Sequence, residues 1–235
     1  MSTQVQQAIK PKPAAGLLDQ PVLPKHIRLR RLKPGDCLEQ LTRMLHRAFF
    51  PLWEMGIPCS CVNQTTEVTR QRVDRGECFV AVCEERIVGT VTLYAPDAAS
   101  ESQHFRDTRV ASLRQLGVDP RFQGKGVGSA LLHLAERWAR LRGYDQLALD
   151  TPKRADHLFD YYQRQGFHVV ETLQFSGRPY RSLIFAKSLL LPVTRRLRSK
   201  RPRGRDCKIE AVAGPARRIP SAQIFIDPLS PKEKR

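Results

Sequence analysis

Three glycines, each separated from the next by one residue, lie within the segment DPRFQGKGVGSALL, residues 119–132. Gly124, Gly126 and Gly128 follow an apolar stretch typical of a strand, and helix-forming residues begin directly after them. The first main-chain N–H groups of a helix have no partner inside the helix, and the helix dipole adds partial positive charge there. Because glycine has no Cβ, a bulky anion can approach those groups closely. The segment therefore predicts a phosphate or pyrophosphate site.

Two common phosphate-binding patterns fit this segment poorly. The Walker loop needs Lys followed by Ser or Thr directly after its last glycine, whereas Lys125 lies between glycines. The dinucleotide-binding fingerprint is G-x-G-x-x-G, but the spacing here is G-x-G-x-G, although Asp150 offers an acidic residue after the next strand. That fingerprint also follows the first strand of its fold, and several strands are predicted before residue 119.

The elements around the glycines predict one mixed α/β sheet with helices on its faces. Hydrophobic periodicity gives the order β-α-α-β-β-β-α-β-α-β-β, in which late alternation of strands and helices indicates a parallel pair near the middle. Asp36 is expected to cap the first helix, and Thr65 or Thr66 the second. Leu141 is expected to close an apolar stripe on the long helix, which Gly143 ends. The segment DAASESQHFRDTR is expected to be a polar connection.

Charge divides the chain into three parts. Of a net charge of +17, the segment from residue 188 to 235 carries +9, with 13 Lys and Arg against 4 Asp and Glu. We therefore predict a mobile arm over 1–25, a folded domain over 26–187 and a basic, disordered tail over 188–235. No secretory segment and no apolar run of about 20 residues is found, so a cytoplasmic location without membrane contact is expected.

The six cysteines do not predict a metal site or a disulfide framework. Cys59 and Cys61 lack the two-residue spacer of common zinc sites, and no second ligand pair follows them. Cytoplasmic thiols stay reduced, so scattered structural cysteines and no bound metal are expected.

The glycine segment resembles that of the GCN5-related N-acetyltransferases (GNAT). Residues 123–128, QGKGVG, fit the family's Q/R-x-x-G-x-G/A loop, and YYQRQGF, residues 161–167, is similar to its later aromatic-x-x-x-Gly-Phe segment. The resemblance implies a GNAT fold: a mixed, mostly antiparallel central sheet with a parallel, splayed strand pair and flanking helices. It also implies acetyl-CoA as cosubstrate. The pantetheine arm would pair with the end of one strand, and main-chain N–H groups would hold the pyrophosphate: Leu116, Gly117, Val118, Gln123, Gly124, Lys125, Gly126, Val127, Gly128 and Ser129.

The resemblance also supplies a general acid. Family members often place a tyrosine four residues before the glycine of Gly-Phe, which is Tyr162 here, and it would protonate the departing thiolate. Tyr161 is the alternative, and the two are expected to point to different sides of their helix. The chain departs from the family at Ala155 and Leu158, where many members carry Asn and Ala. Thr151 or Asp156 are candidates to replace the missing Asn contact.

The general base and the acceptor are less well defined by the sequence. Candidate bases are Glu67, Glu77, His104 and Asp150, although each is also typical of an ordinary solvated charge, and a water-relayed proton path is an alternative. Acceptor specificity is expected in residues 50–75 and 173–182. In the first range, FFPLWEMGIPCSC is either an acceptor wall or core. In the second, the side chains that would attract an acidic acceptor group are Arg178, Tyr180 and Arg181.

Two functions are consistent with these residues. The first is an acetyl-CoA-dependent N-acetyltransferase that moves an acetyl group directly to a primary amine of a small molecule or peptide, as a monomer or homodimer. The second is a noncatalytic module that senses acyl-CoA or binds RNA, since the basic tail RRLRSKRPRGR is suited to weak nucleic-acid contact. Cofactor binding without thiol release from any amine would indicate the second.

Overall fold

A seven-stranded sheet runs through residues 23–190, the part of the chain that this computed structural model describes. The predicted arm and tail lie almost entirely outside these residues. The strands are β1 (Ile27–Arg31), β2 (Glu77–Cys83), β3 (Arg86–Tyr94), β4 (Val110–Val118), β5 (Gln146–Pro152), β6 (His168–Leu173) and β7 (Ser182–Ser188). The helices are α1 (Leu38–Glu54), α2 (Thr66–Asp74), α3 (Gln103–Arg106), α4 (Val127–Leu141) and α5 (Asp156–Arg164), with a 3-10 turn at Pro120–Phe122.

The strand order is β1-β2-β3-β4-β5-β7-β6, and every neighbouring pair is antiparallel except β4 and β5. The parallel ladder holds for only three residue pairs, from Val110 opposite Gln146 to Ser112 opposite Ala148. Beyond Ser112, β4 continues to Val118 along β3, and no strand of residues 23–190 pairs with it on its β5 side. This confirms the predicted mixed, mostly antiparallel sheet with one parallel, splayed pair.

A backbone irregularity marks the unpaired half of β4. Gln115 has a φ of 52°, in the left-handed region, and the register with β3 shifts between Thr90 and Thr92. Such a bulge bends the strand and increases its local twist. The bend lies where β4 leaves β5, so it contributes to opening the gap between the two strands.

Helices cover both faces of the sheet, as the sequence predicts. On one face, the apolar side of α1, with Leu41, Met44 and Leu45, packs on Val80 and Val82 of β2. On the other face, the stripe of α4 packs in the larger cluster, with Leu131, Ala135 and Trp138 against β3, β4 and β5. No helix within residues 23–190 is long and apolar enough to cross a membrane.

Three local predictions are wrong. Asp36 does not cap α1, whose first turn begins at Cys37, because its carboxylate accepts hydrogen bonds from Arg30 and from the N–H of Lys33. Leu141, the last residue of α4, does not join the apolar stripe and is 74% exposed. The expected polar connection contains α3, where Phe105 is fully buried beneath β4.

Candidate active site

The glycine loop connects the free end of β4 to α4 through a turn that one carboxylate organises. Asp119 is buried and accepts hydrogen bonds from the N–H and the guanidinium of Arg121, and from the guanidinium of Arg47. The bonds from Arg121, reinforced by those from Arg47, lower the pKa of Asp119 to about 2. A carboxylate that stays ionised thus fixes the chain direction immediately before the glycines.

The loop presents a row of main-chain N–H groups without internal partners. Within the described residues, the N–H groups of residues 124–129 donate to no main-chain or side-chain acceptor, and the first bond of the helix is from Ala130 to the carbonyl of Gly126. Gly124 and Gly126 have φ values of 72° and 78°, which other residues adopt only with strain. Gly126 occupies the N-cap position without a capping side chain. The arrangement is suited to an anion with several oxygen acceptors.

A cavity of about 1120 Å³ extends from this loop into the gap between β4 and β5. Eight of the ten residues predicted to bind the cosubstrate line it: Leu116, Gly117, Val118, Gln123, Gly124, Gly126, Gly128 and Ser129. The side chains of the other two do not. Lys125 lies over the ring of Phe122, and Val127 is buried in the core.

Helix α1 forms one wall of the cavity through close contact with β4. A Cβ at Gly117 would lie 3.2 Å from both the Cβ of Ala48 and the Cε2 of Phe49. Of the apolar segment at the end of α1, Phe49, Pro51 and Leu52 line the cavity, whereas Phe50, Trp53 and Met55 are exposed. The segment is therefore divided between a cavity wall and the surface of the domain.

Two tyrosines of α5 reach the cavity together, contrary to the expectation that they point to different sides. Their ring centroids are 5.2 Å apart in an edge-to-face arrangement. Tyr162 packs on Phe167 and Phe185, and burial, with the nearby charges of Tyr161 and Asp150, raises its pKa. The Tyr161 hydroxyl is buried without a hydrogen-bond partner among the described residues, and it lies 3.3 Å from where a Cβ at Gly128 would be.

The structure also places the two candidates to replace the Asn contact that is missing at Ala155. Ala155 is buried, and the hydroxyl of Thr151 is buried on the cavity wall without a partner among the described residues. Asp156 is exposed and does not line the cavity. Thr151 is thus the better placed of the two candidates, and with Tyr161 it gives the cavity two unsatisfied hydroxyls that a polar ligand would complete.

Only one of the four candidate bases lines the cavity. Asp150 does so, but its two oxygens accept from the guanidinium groups of Arg114 and Arg178, the latter at 2.5 Å. Glu67 is exposed beside Arg70, and Glu77 pairs with Arg31 and Arg142. His104 is on α3, away from the cavity lining. A carboxylate that already accepts hydrogen bonds from two guanidinium groups is better suited to hold those arginines in place than to accept a proton.

The far end of the cavity is lined by polar side chains that the sequence did not single out: Arg72 of α2, Arg75 directly after α2, Tyr94 of β3 and Arg114 of β4. Arg114 carried a signal in the sequence, as a charged residue inside an otherwise apolar strand. Arg72 and Arg75 fall within the range 50–75 that is expected to hold acceptor contacts, but nothing marks them individually. Of the predicted acceptor contacts, Arg178 and Tyr180 line the cavity and Arg181 is exposed outside it.

The Cys-Ser-Cys segment also lines the cavity, and Cys59 is buried in an apolar cluster with Leu52 and Ile57. A hydrogen bond from the Cys61 thiol, with main-chain N–H groups and the charge of Arg72, lowers the pKa of Cys59 below its ordinary value. Arg72 in turn lies 3.4 Å from the Cys61 sulfur. No group of His, Cys, Asp and Glu side chains suited to holding a metal ion occurs within residues 23–190.

Comparison with known proteins identifies relatives of this arrangement. The family model described as Acetyltransferase (GNAT) family matches residues 39–167. The chain is 32% identical to the mycothiol acetyltransferase of Propionibacterium freudenreichii subsp. shermanii over 64% of this chain and 46% of that protein. It is 26% identical to the S-(2-succino)cysteine N-acetyltransferase of Bacillus subtilis, over 55% of this chain and 77% of that protein. The chain spans about half the length of the curated mycothiol acetyltransferases it matches.

Solved structures share the fold. The PaiA N-acetyltransferase of Thermoplasma acidophilum, in complex with coenzyme A, superposes with a TM-score of 0.53 at 20% identity, over 69% of this chain and 98% of that one. The family model covers more than half of the chain and includes the glycine loop and both tyrosines. The chain therefore belongs to the GNAT family of acetyltransferases.

Proposed function

We propose that this protein is an acetyl-CoA-dependent N-acetyltransferase that transfers the acetyl group directly to a primary amine of a small molecule or peptide. The observation that carries the proposal is the row of unpartnered N–H groups over residues 124–129, at one end of a cavity that has Tyr162 in its wall. The relative named S-(2-succino)cysteine N-acetyltransferase supports an amine as the acceptor.

The residues present fit coenzyme A. The N–H row and the open space around Gly124 suit a pyrophosphate, because no Cβ and no neighbouring atom within 4 Å blocks that approach. The edge of β4 from Leu113 to Val118, which has no strand partner on its β5 side, suits the amide groups of a pantetheine arm. We propose Leu116, Gly117, Val118 and Gln123 through Ser129 as the binding residues, mainly through their main chains.

Acetyl-CoA supplies a thioester, so transfer to an amine releases one thiolate and one proton. Tyr162 is proposed as the group that donates a proton to the thiolate. Its raised pKa keeps the hydroxyl protonated throughout the neutral pH range, so the proton to be donated is always present. Its rotamer is fixed by packing on Phe167 and Phe185, which holds the hydroxyl in one place.

The amine must lose a proton before or during attack. Because Asp150 is held by two arginines, we propose that water in the cavity relays the proton, with the neighbouring unsatisfied hydroxyl of Thr151 as an anchoring group.

Calorimetry of the full chain with coenzyme A, followed by thiol release and mass detection on an amine panel, tests the proposal. We expect binding of the coenzyme and one acetylated amine for each thiol released. Binding without thiol release beyond background hydrolysis would contradict catalysis and favour the noncatalytic acyl-CoA-sensing module.

A further inference from the structure

The cavity has an excess of positive charge that binding of the cosubstrate at the glycine loop does not use. Its charged lining residues within the described part of the chain are five arginines and two aspartates: Arg72, Arg75, Arg114, Arg164, Arg178, Asp97 and Asp150. A cavity with this composition attracts anions and lowers their free energy inside it.

Two of the arginines have their charge balanced on one aspartate. Asp150 accepts from Arg114 through one oxygen and from Arg178 through the other, so two positive charges share one negative charge. Burial lowers the pKa of Arg114, and the neighbouring charges of Arg178 and Arg75 act in the same direction. Arg75 has its own partner in Asp97. The cluster therefore keeps a net positive charge after its carboxylates are counted.

Of the three half-buried arginines that line the cavity, Arg72, Arg114 and Arg178, only Arg72 has no carboxylate partner among the described residues. It is half-buried, and its guanidinium donates to the neutral oxygens of Gln64 and Ser60, with Cys61 sulfur as a further contact. No carboxylate of the described residues lies within ion-pair distance of it. Its position is nevertheless fixed, because the Tyr94 hydroxyl donates to the Arg72 carbonyl at 2.7 Å. A half-buried guanidinium that has only neutral oxygens as acceptors is well placed to bind an anionic ligand.

We propose, on the basis of the function proposed above, that the acceptor is an amine that also carries a carboxylate, and that Arg72 binds this carboxylate with Arg178 beside it. Both arginines line the cavity together with Cys61, whose sulfur lies 3.4 Å from the Arg72 guanidinium. Planar guanidinium groups match a carboxylate with two parallel hydrogen bonds, an arrangement that a neutral acceptor cannot form. The acceptor class is thus an amino acid, an amino-acid derivative or a peptide with its carboxylate close to the amine.

The test uses acceptors that differ only in this charge. L-leucine, L-phenylalanine and the tripeptide Ala-Leu-Leu are each compared with their carboxamide forms, at saturating acetyl-CoA and with the full chain. The acid and amide forms differ in the intrinsic basicity of their amines, so the informative quantity is the change in the acid-to-amide ratio of kcat/KM between wild type and Arg72→Gln. Arg70→Gln is the matched control, because Arg70 is on the same helix and exposed outside the cavity.

We expect Arg72→Gln to lower the acid-to-amide ratio about tenfold to 100-fold through KM for the acid, as for loss of a charge-assisted hydrogen-bond pair. The amide forms, the KM for acetyl-CoA and the Arg70→Gln ratios should change little. Arg72→Lys keeps the charge without the planar fork, and we expect an intermediate ratio. Thermal melting of each variant checks that it is folded.

Three outcomes would overturn the inference. An unchanged ratio in folded Arg72→Gln would show that this side chain does not recognise the carboxylate. A wild-type acid-to-amide ratio that does not fall as the salt concentration is raised would exclude recognition of the carboxylate by charge, while leaving the N-acetyltransferase function intact. No acetylation of any acid or amide by chain that binds coenzyme A would overturn both proposals together.

Discussion

The two ends of the cavity are built in opposite ways. At the glycine loop, Gly124, Gly126, Gly128 and Ser129 line the cavity with main-chain N–H groups that have no acceptor among the described residues, and few charged side chains take part. At the far end, the cavity is lined by arginines from α2, β4 and the β6–β7 connection around Asp150. Main-chain groups are available to any sequence that can form the turn, whereas the arginine cluster depends on individual residues. The loop end therefore suits a cosubstrate common to a family, and the far end suits an acceptor particular to this chain.

The largest expected effect is at the loop end. Gly126→Val places a β-branched residue at a φ of 78° among the N–H groups, and loss of several charge-assisted hydrogen bonds should weaken coenzyme A about 1000-fold. Gly143→Val is the control, since Gly143 has the same φ of 78° just beyond the other end of α4. Calorimetry should show near wild-type affinity for Gly143→Val. Equal weakening by both variants would mean that helix stability, and not the loop, controls binding.

Tyr162→Phe comes next and should act on rate alone. Loss of a general acid should lower kcat by about 100-fold or more, while the affinity for coenzyme A stays unchanged because the ring remains in its packing. Tyr161→Phe is the paired control, with the same change on the neighbouring residue. Single-turnover kinetics distinguishes them, and a larger loss in Tyr161→Phe would move the assignment of the acid to Tyr161.

Asp119 supports the loop from outside the cavity, with a smaller expected effect. Its pKa of about 2 lies below the ordinary value of 3.8, so its ion pairs stabilise the fold fully above about pH 4 and are lost as the pH falls toward 2. Asp119→Asn should cost on the order of 1–2 kcal/mol at neutral pH, reduced from the full shift because both arginines are partly exposed.

Urea unfolding at several pH values measures this difference, which should shrink as the pH is lowered from 4 toward 2. Asp36→Asn is a suitable control, because its carboxylate also has a lowered pKa through Arg30 but lies outside the cavity. Both variants should lose stability, and only Asp119→Asn should weaken coenzyme A. A pH-independent loss in Asp119→Asn would argue against the ion pairs as its cause.

The smallest expected effect is at Arg181. Its side chain is exposed and does not line the cavity, so Arg181→Ala should change kcat/KM for every acceptor by less than about twofold, as for a surface substitution. Steady-state kinetics with the acid and amide acceptors checks this. A loss of kcat/KM with the acids alone would show that residues outside the cavity also recognise the carboxylate.

The loop end could be predicted from sequence because its determinants are local. The spacing of Gly124, Gly126 and Gly128 between a strand and a helix specifies where free N–H groups must be, whatever lies further along the chain. The arginine end could be predicted only in part: Arg178 was expected near the acceptor, but its position close to Arg114 on Asp150 depends on which strands are neighbours in the sheet. Local patterns also failed where long-range contacts compete with them, as at Asp36, where Arg30 takes the carboxylate that a helix cap would use.

The short parallel ladder has a mechanical consequence. Three residue pairs are all that join β1–β4 directly to β5–β7 within the sheet, so the two halves are held at this seam by few hydrogen bonds. A pantetheine chain bonded along β4 would act as an extra strand in the seam and bind the folded state alone, which raises the melting temperature with ligand concentration. Amide hydrogen exchange should then slow on β4 beyond Ser112. The exchange rates along this strand would therefore report the fraction of protein that has the ligand bound.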